Sequence, residues 1–233
     1  MSQVFQCPVC ESPAIRRFAQ LETRDYWRCE TCVATFVDTA QLPDIQLERA
    51  QYALHQNDPD DTAYRAFLGR LATPLLQRLQ GLQAFQPLQT SRSQQGLYGL
   101  DYGCGPGPAL AAMLREAGHT MAVYDPLFYD DRSVLTGPYD FITCTEVAEH
   151  FHQPAQEFAR LDRLLAPGGW LAVMTGFTPD DADFARWHYR LDPTHVVFYR
   201  EATFNVLAQR YGWRCEIPCA NVALLQKWTV VSN

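Results

Sequence analysis

Leu97–Gly107, LYGLDYGCGPG, decides the reading of this chain. An apolar strand runs into a tight turn carrying Gly103, Gly105 and Gly107. Glycines at alternate positions let the main chain bend sharply and approach a ligand where a Cβ would collide. Eighteen residues beyond Gly107, the run Met121–Tyr124 ends in Asp125, a carboxylate placed to accept hydrogen bonds from a ribose. A strand, a glycine turn, a helix start and a second strand ending in an acid form a recipe for holding a nucleoside.

Working outward, the flanking segments alternate. Helices are predicted at 108–117, 154–165 and 201–211, and strands at 120–124, 139–144 and 170–175. Such alternation with short apolar strands predicts a mainly parallel sheet covered on both faces. The last two strands, 214–217 and 222–230, have no helical pattern between them and are expected to pair antiparallel. Before the glycine turn, Tyr64, Phe67, Leu68, Leu71, Leu75 and Leu79 recur at helical spacing within 46–82, with Pro74 expected to kink or interrupt the helix. Residues 83–96, rich in Gln and Ser, read as a connector.

Four of the eight cysteines lie in the first 32 residues as two CxxC knuckles, Cys7/Cys10 and Cys29/Cys32. Each knuckle presents two thiolates from one turn, and the spacing lets the pairs close a tetrahedral sulfur site suited to structural zinc. So small a module has too little core to fold without such a staple. Four protein ligands leave no open position for catalysis. Cys104, Cys144, Cys215 and Cys219 sit in apolar segments and read as small buried residues.

With 233 residues, 47% of them hydrophobic, the chain has enough material for a sizeable core. A formal charge of −7 argues against a broad nucleic-acid footprint. No window of 18 apolar residues predicts a membrane span, and the start has no apolar signal region; a cytoplasmic protein is expected.

The GxGxG turn preceded by Asp101, the segment YDFITCTEVAEHF (139–151) and the turn LLAPGGWLAVMT (164–175) together resemble class I S-adenosylmethionine-dependent methyltransferases over residues 96–233. The resemblance implies an α/β, Rossmann-like sheet. It also implies that Asp101, Gly103, Gly105 and Gly107 cradle the methionine portion of the donor. Asp125 would hold the ribose, and Glu146, in the turn after the fourth strand, would lie beside the transferred methyl. Residues 126–138 are too few for the usual helix and strand, which leaves Asp130 and Asp131 as candidates beside the adenine. The tail 187–213 resembles a methyltransferase subgroup with a W-x-Y-x-x-D-x-T-H segment.

The pattern Glu146-x-x-Glu149-His150 also resembles the metal motif of ubiquinone-pathway O-methyltransferases and of plant small-RNA 2′-O-methyltransferases. In the latter a further histidine follows the fifth strand; His195 occupies a comparable place. On a helix, Glu146, Glu149 and His150 would share one face suited to a divalent cation; the alternatives are that His150 lines the active site or contacts the cofactor without a metal, and that His195 is buried against Phe198 and Tyr199. His150, His195 and Glu149 are therefore the expected catalytic groups, with His188 a weaker base and Trp187 and Tyr189 a packed lid or a stacking surface for a planar substrate.

The expected organisation is a zinc ribbon at 1–40, a helical cap and linker at 41–95, and a methyltransferase domain at 96–233. The acceptor is expected to be a small molecule, such as a sugar, nucleotide-sugar, diol or phenol. The rival readings are an RNA methyltransferase, a non-catalytic zinc-ribbon adaptor, and a nicotinamide dehydrogenase, which the absence of GxGxxG disfavours. The sequence leaves oligomeric state open.

Overall fold

Why the glycine turn faces a cleft follows from strand order. The computed structural model describes residues 5–54, 57–85 and 96–228. The first three strands are β1 (Ile15–Leu21), β2 (Arg24–Cys29) and β3 (Thr35–Val37), followed by helices α1 (Ile45–Tyr52) and α2 (Thr62–Phe85). Next come β4 (Tyr98–Tyr102), α3 (Ala109–Glu116), β5 (Thr120–Tyr124), β6 (Tyr139–Thr145), α4 (Pro154–Leu164) and β7 (Leu165–Met174). The chain closes with α5 (Asp181–Phe184), β8 (Val197–Phe198), α6 (Glu201–Tyr211), β9 (Trp213–Cys219) and β10 (Val222–Lys227).

The larger sheet has the order β5-β4-β6-β7-β10-β9. Strands β4 to β7 are parallel, whereas β10 pairs antiparallel with both β7 and β9. Buried Leu100, Ile142, Leu171 and Val173 on one face, and Phe141, Trp170, Ala172 and Met174 on the other, make these central strands apolar on both faces, as a covered parallel sheet requires. The chain leaves β4 toward β5 and then crosses back to β6, so a crevice opens outside the carboxyl ends of β4 and β6. One face packs α2 and α3 through Leu68, Leu71, Leu75, Leu110 and Leu114; the other packs α4, α6 and the amino-terminal strands around Tyr26, Phe36, Phe158 and Phe198.

The predicted helix over 46–82 is two helices. Asp44 caps α1, and Asp61 accepts from the amides of Ala63 and Tyr64 at 2.7 and 3.1 Å to start α2. Pro74 does not interrupt α2. Its missing amide leaves the Arg70 carbonyl without a helical donor, and the Cys219 thiol lies 3.6 Å from that oxygen. Of the expected connector, residues 86–95 lie outside the described residues, as do Thr229 and Val230 of the last predicted strand.

The amino-terminal strands form a second sheet, β1-β2-β3-β8, whose fourth strand comes from the carboxyl-terminal part of the chain. Among the described residues, no helix is long and apolar enough to cross a membrane.

Candidate active site

The glycine turn is held from beneath by β5. Gly103 (φ 77°) and Gly105 (φ 65°) occupy left-handed conformations that favour glycine. The amides of Gly103 and Cys104 donate to the Tyr124 carbonyl at 2.8 and 3.2 Å. Asp125 Oδ2 accepts from the Gly105 amide at 3.0 Å, while Oδ1 accepts from Leu127 and Phe128 at 2.9 and 3.1 Å. Asp125 thus pins two loops together before any ligand arrives. A Cβ on Gly107 would lie 1.8 Å from the Asn57 carbonyl oxygen, so the α1–α2 connection rests directly on this corner.

Beyond it lies a cavity of about 890 Å³ lined by Asp101, Gly103, Gly105, Gly107, Asp125, Glu146, His150 and His195. That size is within the range of small-molecule sites. Asp130 and Asp131 are not on its wall: Asp130 pairs with Arg132, and Asp131 caps the 3-10 turn Arg132–Thr136. No strand ends in this segment, so nothing carries an acid there to the crevice.

Asp101 is 4% exposed and accepts from Thr143 Oγ1 at 2.8 Å. Burial pushes its carboxyl from 3.8 up to about 6, although hydrogen bonds from Thr143 and the Ala111 amide pull the other way. Because the folded value is raised, its stabilising contribution is complete below the ordinary value of 3.8 and is lost as pH climbs through about 6. The difference corresponds to about 3 kcal/mol. Asp101→Asn is therefore expected to remove a fall in stability between about pH 4 and pH 7. Denaturant midpoints compared at those two pH values check this; equal slopes for both proteins would refute it.

At the far end, the sequence-expected trio is not the one brought together. The segment after β6 forms a three-residue 3-10 turn, Ala148–His150, not a longer helix, and Glu146 precedes it with φ 54°. Glu146 lies outside the cluster of ligand atoms, although it shares the Tyr189 hydroxyl with Glu149. The ligand atoms of Glu149, His150 and His195 instead all lie within 4.8 Å of one another. Glu149 is fully buried, accepting from Thr175 Oγ1 at 2.7 Å and from the Tyr189 hydroxyl at 2.5 Å. His150 Nδ1 meets the Thr194 carbonyl at 3.1 Å, and His195 Nδ1 meets the Tyr189 carbonyl at 2.7 Å. Since a carbonyl only accepts, both rings are assigned Nδ1–H, which places the lone pair on Nε2. Such outer hydrogen bonds orient histidines for metal ligation.

Burial raises Glu149, and burial followed by the Glu149 charge raises Glu146 to about 8. Burial lowers His195, keeping the ring neutral. Two carboxylates around one phenol, with the imidazoles of His150 and His195 beside them, make a place that a divalent cation would neutralise. Tyr189, which also contacts Glu146 at 3.1 Å, is the hub of this network. Sequence reading assigned it to a lid; the motif around it was visible, but its partners were not. His188 is exposed and off the cavity wall.

The four amino-terminal cysteines converge. Their sulfurs all lie within 4.8 Å of one another, with Cys7–Cys32 and Cys10–Cys29 at 3.6 Å. A tetrahedral zinc site needs sulfurs about 3.8 Å apart, and disulfides need about 2 Å. Hydrogen bonds from the Cys32 and Cys7 thiols hold Cys10 down at about 2, so a thiolate is stabilised there. The Thr31 and Cys32 amides point at Cys29 Sγ at 3.3 and 3.4 Å. The donor set fits zinc.

This module also carries the His195 loop. Arg24 donates to the carbonyls of Asp192 (3.5 Å), His195 (3.3 Å) and Pro193. The Val37 amide donates to the Val196 carbonyl at 2.9 Å, and the Val196 amide to the Glu149 carbonyl at 2.8 Å. One hydrogen-bonded chain therefore runs from β3 to the acid–histidine cluster.

A family model described as "Methyltransferase domain" matches residues 64–216. A ubiquinone biosynthesis O-methyltransferase of Sodalis glossinidius is 26% identical over 160 residues, covering 55% of this chain and 64% of that protein. The chain thus spans just under two thirds of that relative's length. Among solved structures, an O-methyltransferase family protein from Burkholderia thailandensis is 16% identical with a TM-score of 0.46, covering 78% of this chain and 63% of that one. A family 2 O-methyltransferase from Planctomyces limnophilus, solved with apigenin, is 17% identical with a TM-score of 0.42, covering 73% and 62%.

Proposed function

This chain belongs to the methyltransferase-domain family, and from that premise we propose that it moves a methyl group from S-adenosylmethionine to a hydroxyl of a small acceptor. The observation that carries this reading is one continuous cavity with two chemically different ends. The glycine corner and Asp125 form one end, and Glu146, His150 and His195 line the other.

The donor fits the first end because Gly103, Gly105 and Gly107 line the cavity there and Asp125 keeps acceptor capacity for ribose hydroxyls. When bound, it supplies a methyl on an already activated sulfonium. The chain's task is then alignment, exclusion of water and removal of a proton. As the acceptor oxygen bonds to the methyl carbon, the carbon–sulfur pair returns to sulfur and the hydroxyl proton passes to an imidazole Nε2. His195, held neutral, and His150 are the groups that take it. Tyr189 and Thr175 fix Glu149, and the Tyr189 and Thr194 carbonyls fix the two rings. Alternatively, Glu149, His150 and His195 would hold a divalent cation that would supply Lewis acidity toward the hydroxyl in place of an imidazole base, because an Nε2 lone pair given to a metal no longer accepts a proton. Cys7, Cys10, Cys29 and Cys32 would hold a structural zinc with no open position.

Calorimetry tests the reading. Saturable, stoichiometric binding of S-adenosylhomocysteine is expected, with none of a nicotinamide dinucleotide. A folded protein that binds neither would leave only the adaptor reading. Manganese titration followed by paramagnetic resonance tests the second metal: wild type is expected to bind one ion, and Glu149→Gln to weaken it at least tenfold.

A further inference from the structure

Past Asp125, the cavity continues to side chains that the donor reading has not used. Tyr102 and Tyr124 stand there with ring centroids 5.3 Å apart, and Glu157 and Arg160 of α4 reach the same wall. Between β5 and β6 the chain forms no longer helix, only the 3-10 turn Arg132–Thr136, and the α4 side chains reach this wall. Tyr102 donates to Glu157 Oε2 at 2.5 Å. Arg160 Nη1 lies 2.8 and 2.7 Å from the two Glu157 oxygens and 2.8 Å from the Tyr102 hydroxyl.

A ribose clasped at Asp125, with its 5′ side toward Gly103–Gly107, directs its base to this end. We infer that Glu157, positioned by Tyr102 and Arg160, accepts a hydrogen bond from the exocyclic amine of the donor's adenine. The inference rests on the reading that the cavity takes S-adenosylmethionine. It supplies the adenine contact that Asp130 and Asp131 do not. A carboxylate beside a guanidinium is acceptor-only, so it favours an amine and opposes a carbonyl at the same ring position. Burial, then the Glu157 hydrogen bond, raises the Tyr102 phenol, which keeps its proton and remains a donor to Glu157. The two tyrosine rings supply flat apolar surface beside it.

The experiment compares calorimetric affinities of the full chain for S-adenosylhomocysteine and S-inosylhomocysteine, which differ in that amine-for-carbonyl exchange. Wild type is expected to prefer the adenine form by about 10- to 100-fold, the range for a charged hydrogen bond. Glu157→Gln, whose amide both donates and accepts, is expected to bring the two within about threefold. Tyr102→Phe, which removes only a brace, is expected to reduce the preference severalfold without abolishing it. Equal binding by wild type overturns the assignment, and needs no variant to fold. So does a Glu157→Gln protein that keeps the full preference. Wild type binding neither compound is a separate result, which removes the donor reading itself and this inference with it.

Discussion

Wild-type protein is expected to carry one zinc ion, and Cys29→Ser to lose it together with roughly 10²-fold in methyl transfer while keeping its affinity for S-adenosylhomocysteine within about twofold. The first loss follows from the ligand set: a tetrahedral thiolate site with one sulfur replaced by a hydroxyl holds zinc poorly. The second follows from the chain of contacts between the ribbon and the acceptor end. β3 pairs with β8, its Val37 amide holds Val196, and Arg24 holds three carbonyls of the loop that carries His195. Displacing a positioned reacting group by about 1 Å is enough to cost that much rate. The donor end is spared because Gly103, Gly105 and Asp125 are held by β5 and by one another. Arg24→Ala separates the two effects: it is expected to keep the metal and lose rate, with elemental analysis and single-turnover kinetics as the readouts. Full rate in a zinc-free Cys29→Ser protein would show that the ribbon does not position the site.

For Asp125→Ala, donor affinity is expected to fall by about 1–3 kcal/mol, a factor of roughly 5 to 150. The carboxylate meets three main-chain amides in addition to any ribose contact, so its removal also releases the Gly105 and Leu127–Phe128 loops. Asp125→Asn retains one acceptor oxygen and is expected to fall between the two. Unchanged affinity for S-adenosylhomocysteine in the alanine variant would show that this acid neither holds the sugar nor shapes the corner.

Much of the sheet could be read from the sequence because its strands are short apolar runs bounded by turns. β5 occupies the predicted 120–124, β6 starts at the predicted 139, and α6 spans the predicted 201–211. The break between α1 and α2 was missed although Asp58-Pro59-Asp60-Asp61 signals a turn and a cap; the long apolar stripe masked it. β8 was invisible for another reason. Two residues carry no period, and their strand identity comes from pairing with Thr35 and Phe36, far away in the chain. The same limit governed the cluster. Helical spacing joined Glu146 to Glu149 and His150, but a left-handed Glu146 and a 3-10 turn undo that geometry, and His195 arrives by a tertiary route.

Residues 126–138 offer a last consequence. Where a longer connection would lay a helix over the sheet, the crevice is bounded by side chains projecting from α4. A regular helix fixes those positions more firmly than a loop does. If the inferred adenine contact holds, single replacements on α4 are expected to change which nucleosides bind, without insertion or deletion of backbone.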